Sequence, residues 1–167
     1  EEEGVFETSR KQHVPDYPNV VAVVTSEGGA ALHDVRQTLR DAAAPFELRV
    51  YSCTMQGATC VRSVLDQLER IGAEVTGVGD AGRTEANRCT GASASHRRPD
   101  IVLITRGGGS REDLAAFNEP ALIRGIDALR AIGQLPPVIS AIGHQIDTPL
   151  LDLVCDRACI TPTCAAQ

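Results

Sequence analysis

The sequence predicts an α/β fold: an open, mainly parallel sheet with helices on both faces, a Rossmann-like or flavodoxin-like three-layer sandwich. Three observations carry this. The runs Val20–Ser26, Ile101–Thr105 and Val138–Ile142 are predominantly apolar, without the alternation of a half-exposed strand, which suits strands buried on both faces of a parallel sheet. Stretches whose apolar residues recur at helical spacing lie between them. Each connection is also long enough for a crossover. At 167 residues, 43% hydrophobic and 23% charged, the chain has the size and composition of one globular domain.

Glu1 to Asn19 is polar, begins Glu1-Glu2-Glu3 and carries Pro15 and Pro18 just ahead of the first apolar run, so it reads as a lead-in linker to a domain spanning 20–167. The first strand, Val20–Ser26, stops at Gly28-Gly29. From Ala30 to about Ala43, Leu32, Val35 and Leu39 mark one face of a helix, and Phe46–Tyr51 follows as a strand. Cys60–Ile71 is a second helix, with Val61, Val64, Leu65, Leu68 and Ile71 on one side. Residues 77–99 are rich in Gly, Ala, Ser, Thr, Asn and Arg with hardly any apolar side chain, and such a stretch cannot bury enough surface to offset its chain entropy. It reads as a flexible surface insertion. After Ile101–Thr105, Gly107-Gly108-Gly109-Ser110 opens a helix carrying Leu114, Phe117, Leu122 and Ile126. Val138–Ile142 is the next strand, and a last helix runs from Thr148 to Ala158 with Pro149 in its first turn.

Composition removes several classes of function. Sixteen Lys+Arg against 22 Asp+Glu give a net charge of −6, so no overall basic field attracts a polyanion, and nucleic-acid binding must be local or supplied by another part. The apolar runs are too short to cross a bilayer, which excludes a membrane protein. The 6 cysteines lack the spacing of a secreted disulfide scaffold and point to reduced thiols in a cytoplasmic or otherwise intracellular protein. Cys155, Cys159 and Cys164 contain no C-x-x-C pair and read as small buried apolar residues rather than a metal site. With no Trp, 2 Tyr and 3 Phe, an aromatic platform for base stacking is also excluded within this segment.

In open parallel sheets ligands bind at the carboxyl ends of the strands. That rule selects Thr25-Ser26, Cys53 to Gly57, Arg106 to Ser110, and Gly143 to Asp147. Arg106 offers a forked cation, and Gly107, Gly108, Gly109 and Ser110 offer amides that can converge on an anion, although three glycines after a strand equally suit a tight turn. His144 with Asp147 suits proton transfer or nucleophilic attack; an exposed His beside a helix-capping Asp is an equal reading. For Asp34, spacing alone favours a solvated helix carboxylate. Taken together, Asp34, Arg106, His144 and Asp147 come from three strand-to-helix junctions that the topology brings to one edge. A cation, an amide-rich turn, a His and two carboxylates suit phosphodiester hydrolysis, in which charge on the phosphorus oxygens is stabilised and a leaving oxygen protonated.

An ordered set of segments closely resembles the catalytic domain of the exonuclease VII large subunit: Val23-Val24-Thr25-Ser26, Gly29 to Asp34, Gln56-Gly57, Arg106 to Ser110, Glu112-Asp113-Leu114, Phe117-Asn118, Ser140 to His144, Asp147, and Thr161-Pro162-Thr163. Phe6, Lys11, Pro15 and Pro18 also sit as in the family's link from its amino-terminal DNA-binding module. The resemblance implies hydrolysis of single-stranded DNA from its ends, in both directions, to products with 5′ phosphates. It makes Asp34, Arg106, His144 and Asp147 the catalytic set, with Thr25, Ser26, Gln56, Gly107, Gly108, Gly109 and Ser110 around the substrate phosphate. By chemical type, Arg106 stabilises phosphate charge, His144 is nucleophile or general acid/base, Asp147 orients it, and Asp34 holds a water or metal. No cofactor is strictly required by the resemblance, a Mg²⁺ held through water by the two carboxylates is compatible with it, and no residue is assigned to a metal. The implied partners are single-stranded DNA and, through regions outside this chain, a small helical subunit. Departures from the family pattern are Gln145 for Glu, Ala115 for an aromatic, Ala158-Cys159-Ile160 for Arg-Ala-Pro, and Gln167 for Glu. They leave an alternative of another class, a diverged non-catalytic binding or assembly domain with the same fold. A dinucleotide-binding domain is disfavoured because Ser26-Glu27-Gly28-Gly29-Ala30 is not G-x-G-x-x-G.

Overall fold

The computed structural model describes residues 4–41, 46–77, 97–107, 111–142 and 148–165. In chain order the elements are β1 (Val20–Thr25), α1 (Ala30–Asp41), β2 (Glu47–Ser52), α2 (Cys60–Thr76), β3 (Ile101–Thr105), α3 (Pro120–Ala131), β4 (Val138–Ala141), α4 (Leu150–Val154), β5 (Arg157–Ala158) and α5 (Pro162–Ala165). Short 3-10 turns at Thr8–Arg10 and Arg111–Asn118 complete them. The strands form one 5-stranded sheet in the order β2-β1-β3-β4-β5. Every pairing is parallel, with Val23 opposite Val50 and Leu103, and Leu103 opposite Ile139. This is the flavodoxin-like variant of the doubly wound order, whose switch point lies between β1 and β3.

Each central strand divides its side chains between two cores, as a period of two requires. Ala22, Val24, Val102, Ile104 and Val138 pack with Val64, Leu68 and Ile71 of α2, Leu122 and Ile126 of α3, and Leu151 and Val154 of α4. Val21, Val23, Ile101, Leu103 and Ile139 pack with Leu32 and Val35 of α1 and with Cys159, while Ala165 of α5 adds to the same layer. The three layers anticipated from unbroken apolar strands are therefore present. No helix among the described residues is long and apolar enough to cross a membrane.

Four expectations need correction. The second helix does not stop at Ile71 but continues to Thr76 and ends at Gly77, whose φ of 74° closes it in the left-handed conformation. It passes through Gly72, where a Cβ would come within 3.1 Å of Gln134 Cβ and 3.3 Å of its carbonyl oxygen; the glycine permits a close approach and is no stop signal. The single helix expected across Leu114 to Ile126 is two pieces. Pro120 has no N–H and its ring excludes the carbonyl four residues earlier, so Glu119 is extended (φ −69°, ψ 125°) and Pro120 begins α3 afresh.

The helix expected from Thr148 to Ala158 covers only Leu150–Val154, with Pro149 as its extended N-cap rather than within its first turn. The carboxylate of Asp156 ends it. Fully buried, this group accepts the N–H of Val138 (2.6 Å), the N–H of Gln12 (2.6 Å) and Nη2 of Arg130 (3.1 Å), which turns the chain into β5 beside β4. Finally, Cys155 and Cys159 are buried as expected, but Cys164 is exposed, because α5 is a single turn on the outer surface.

The lead-in packs on the domain. Val5 is buried in the α2/α3 core with Phe6 against it, and Arg10 Nη1 pairs with Asp127 at 2.6 Å. The insertion placed at 77–99 lies outside the described residues from 78 to 96.

Candidate active site

The switch point places three junctions side by side. β1 ends in the buried Thr25, and the turn Ser26–Gly29 delivers the chain into α1: Gly29 N–H donates to the Ser26 carbonyl (3.3 Å), and a Cβ on Gly29 would lie 2.9 Å from Ser26 Oγ. β3 delivers Arg106 and Gly107. At Gly107 a Cβ would stand 3.8 and 3.9 Å from the amide nitrogens of Ala30 and Ala31, so the turn after β3 lies against the first turn of α1. Amides of a first helical turn have no acceptor within the helix, and the helix dipole adds positive potential there.

A cleft of about 140 Å³ opens at this place, lined by Asp34, Arg106, Gly107 and the start of α1 together with Ala141, Ile142, Ile160, Thr161 and Pro162. Arg106 is only 7% exposed yet reaches the cleft wall. Asp34, one turn into α1, is exposed and faces the same space. Its exposure fits the solvated-carboxylate reading, and a place in the cleft lining is what the functional reading needs.

Of the residues singled out in the sequence, Asp34, Arg106 and Gly107 share the cleft. Thr25 is buried at the end of β1, and its Oγ1 has no hydrogen-bond partner among the described residues. Ser26 is half-buried in the turn beyond it. Gln56 is exposed in the loop after β2, on the same edge of the sheet but outside the cleft lining. Gly108, Gly109, Ser110, His144 and Asp147 lie outside the described residues. Among the described residues, no three His, Cys, Asp or Glu side chains gather as a metal site would need.

Sequence reasoning missed two features. Ser140, on β4 immediately before the cleft residue Ala141, donates its hydroxyl to Asp152 Oδ1 of α4 at 2.5 Å, with both residues buried. Burial pushes the Asp152 carboxyl above its ordinary range, and the Ser140 hydrogen bond pulls partly the other way. The signal was a hydroxyl inside an otherwise apolar strand, which needs a partner. The second is Ile160, a half-exposed aliphatic residue on the cleft wall, for which a single position carries no periodic signal.

The family described as "Exonuclease VII, large subunit" matches residues 5–167. The chain is 37% identical over 165 residues to the "Exodeoxyribonuclease 7 large subunit" of Salinibacter ruber, covering 99% of this chain and 36% of that protein. It is 38% identical over 168 residues to that of Rhodopirellula baltica, covering 99% and 31%, and 38% identical over 165 residues to that of a Caulobacter species, covering 99% and 27%. The chain thus spans about a third of the length of these relatives. A doubly wound parallel sheet, a cleft at its switch point holding Arg106 and Asp34, and a match that runs from Val5 to Gln167 lead to one assignment: the chain belongs to the exonuclease VII large-subunit family.

Proposed function

We propose that this chain is the catalytic domain of an exonuclease VII-type large subunit, an intracellular enzyme that hydrolyses phosphodiester bonds of single-stranded DNA from either end and leaves 5′ phosphates. The supporting observation is the meeting of Arg106, Asp34 and the first turn of α1 in one cleft at the carboxyl edge of the sheet. As water or another nucleophile attacks phosphorus, negative charge grows on the non-bridging oxygens. A guanidinium 7% exposed meets that charge with less solvent screening than a surface cation, and its forked donors span two oxygens at once. The amides of Ala30 and Ala31 add partial charge of the same sign.

The leaving oxygen must gain a proton. His144, which follows β4 in the sequence, takes that part or attacks phosphorus itself, with Asp147 orienting its ring. Asp34 accepts a hydrogen bond from the water at the mouth of the cleft. The reading requires no metal. Asp34 and Asp147 suit a Mg²⁺ held through water, which when bound supplies further charge neutralisation. The groove for the strand and the contacts with a small helical subunit belong to the regions beyond this chain.

The test is degradation of a single strand labelled at either end by the full-length protein, wild type beside His144→Ala and Arg106→Lys, each with Mg²⁺ and with chelator. Wild type should shorten the strand from both ends. His144→Ala should lose about 10²–10⁴-fold in rate, and Arg106→Lys about 10²-fold because an ammonium cannot span two oxygens. A wild-type protein that binds the strand and cuts it in neither condition overturns the proposal.

A further inference from the structure

The lining of the cleft is of two chemical kinds: Arg106, Asp34 and the polar backbone at the start of α1, and the apolar Ala141, Ile142, Ile160 and Pro162. The large hydrophobic residues exposed among those described are Tyr17, Ile132, Leu153 and Ile160, and of these Ile160 alone lines the cleft, at 50% exposure. Its backbone is held from both sides. Cys159 N–H donates to the Ser140 carbonyl of β4 at 2.8 Å, and the following turn is fixed by Cys164 N–H on Thr161 Oγ1 (3.0 Å) and Ala165 N–H on the Thr161 carbonyl (3.1 Å). A large aliphatic side chain is thus held open to water on a hydrogen-bonded frame, in the lining of the cleft that Arg106 also lines.

A phosphate in a DNA strand has a nucleoside attached on each side. A cleft of about 140 Å³ is below the 300–1,000 Å³ of sites that enclose a whole small ligand, which gives room for a phosphate but not for its nucleoside as well. The geometry points to Ile160, with Pro162, as the apolar shelf that packs against the base of the nucleotide whose phosphate meets Arg106. Such a shelf would hold a base where no Phe, Tyr or Trp lines the cleft among the described residues. Ile and Pro side chains bring no donor or acceptor that reads base identity. The contact is sequence-tolerant, as end-trimming of arbitrary DNA requires. Where the family resemblance calls for a rigid Pro at position 160, this chain places a longer side chain.

The inference rests on the nuclease reading, and the experiment separates the two. Steady-state degradation by the full-length protein is compared for wild type, Ile160→Ser and Ile160→Leu. The substrates are an oligothymidylate strand and the same strand with abasic residues replacing its terminal nucleotides at both ends. Ile160→Ser should raise KM about fivefold on the normal strand with kcat held, the scale expected from partial loss of one aliphatic contact, and should leave KM for the abasic-ended strand where wild type has it. Ile160→Leu should shift KM less than Ile160→Ser. An unchanged KM for Ile160→Ser, or an equal rise on both strands, overturns the shelf while wild-type cutting stands. Failure of wild type to cut either strand overturns the nuclease reading and the shelf with it.

Discussion

At the scale of single residues, Asp152 shows what a buried carboxyl does to stability. Burial raises its pKa, so the folded protein holds this proton more tightly than the unfolded chain does. Its contribution is complete at acid pH, below the ordinary carboxylate range, and is lost as pH rises through the raised value. Asp152→Asn keeps an oxygen for the Ser140 hydroxyl and has no charge to desolvate. The variant should therefore gain stability on wild type as pH climbs from acid to neutral, measured as urea midpoints along a pH series; a gap that does not change with pH contradicts this. The site itself was half legible at this scale. Arg106 and Gly107 could be found because the rule for parallel sheets names the residues after each strand. Asp34 needed the resemblance as well, since helical spacing alone favours a solvent-facing carboxylate. Ser140–Asp152 and Ile160 were not legible, because a pair twelve positions apart and a lone aliphatic residue acquire meaning only when strands and turns are folded against each other.

Among the elements, the long strands were legible because each is an apolar run buried on both faces, a pattern contained in the strand itself. β5 has only Arg157 and Ala158, both exposed, and exists through its partners. Its anchor is Asp156, which joins the lead-in at Gln12, α3 at Arg130 and β4 at Val138. Asp156→Ala leaves the Arg130 guanidinium, 7% exposed, without this counter-charge and removes the acceptor of two backbone N–H groups. Breaking a buried pair from one side costs about 3–5 kcal/mol. The variant should lose that much in denaturant unfolding, and the Cys159 amide, which donates to the Ser140 carbonyl, should lose much of its protection from hydrogen exchange. Full stability in Asp156→Ala would show that β5 is held by something else. The helix broken at Pro120 teaches the complementary lesson: apolar spacing continued smoothly across Leu114 to Ile126, and the proline overruled it.

Over the whole molecule, the order β2-β1-β3-β4-β5 could not be read from the chain, since a series of alternating strands and helices fits more than one winding. The lead-in was read as polar from its composition, yet Val5 is 8% exposed and Phe6 packs beside it, so two side chains decide its course. Val5→Ser with Phe6→Ser should lower the thermal midpoint by about 5–10 °C in calorimetry, although both positions precede the first strand. An unchanged midpoint would mean that the segment rests on the surface without stabilising it. The strand order also bears on how copies of the protein meet. An exposed sheet margin offers unpaired backbone groups on which a neighbouring chain can add a strand. Here one margin is β5, too short to template an addition. The other is β2, where Arg49 is paired with Glu47 at 2.8 Å and with Glu74 at 3.2 Å, and charge at such a margin opposes a flat apolar docking strand. Among the described residues, both margins of the sheet are thus poor templates for strand addition by a neighbouring chain.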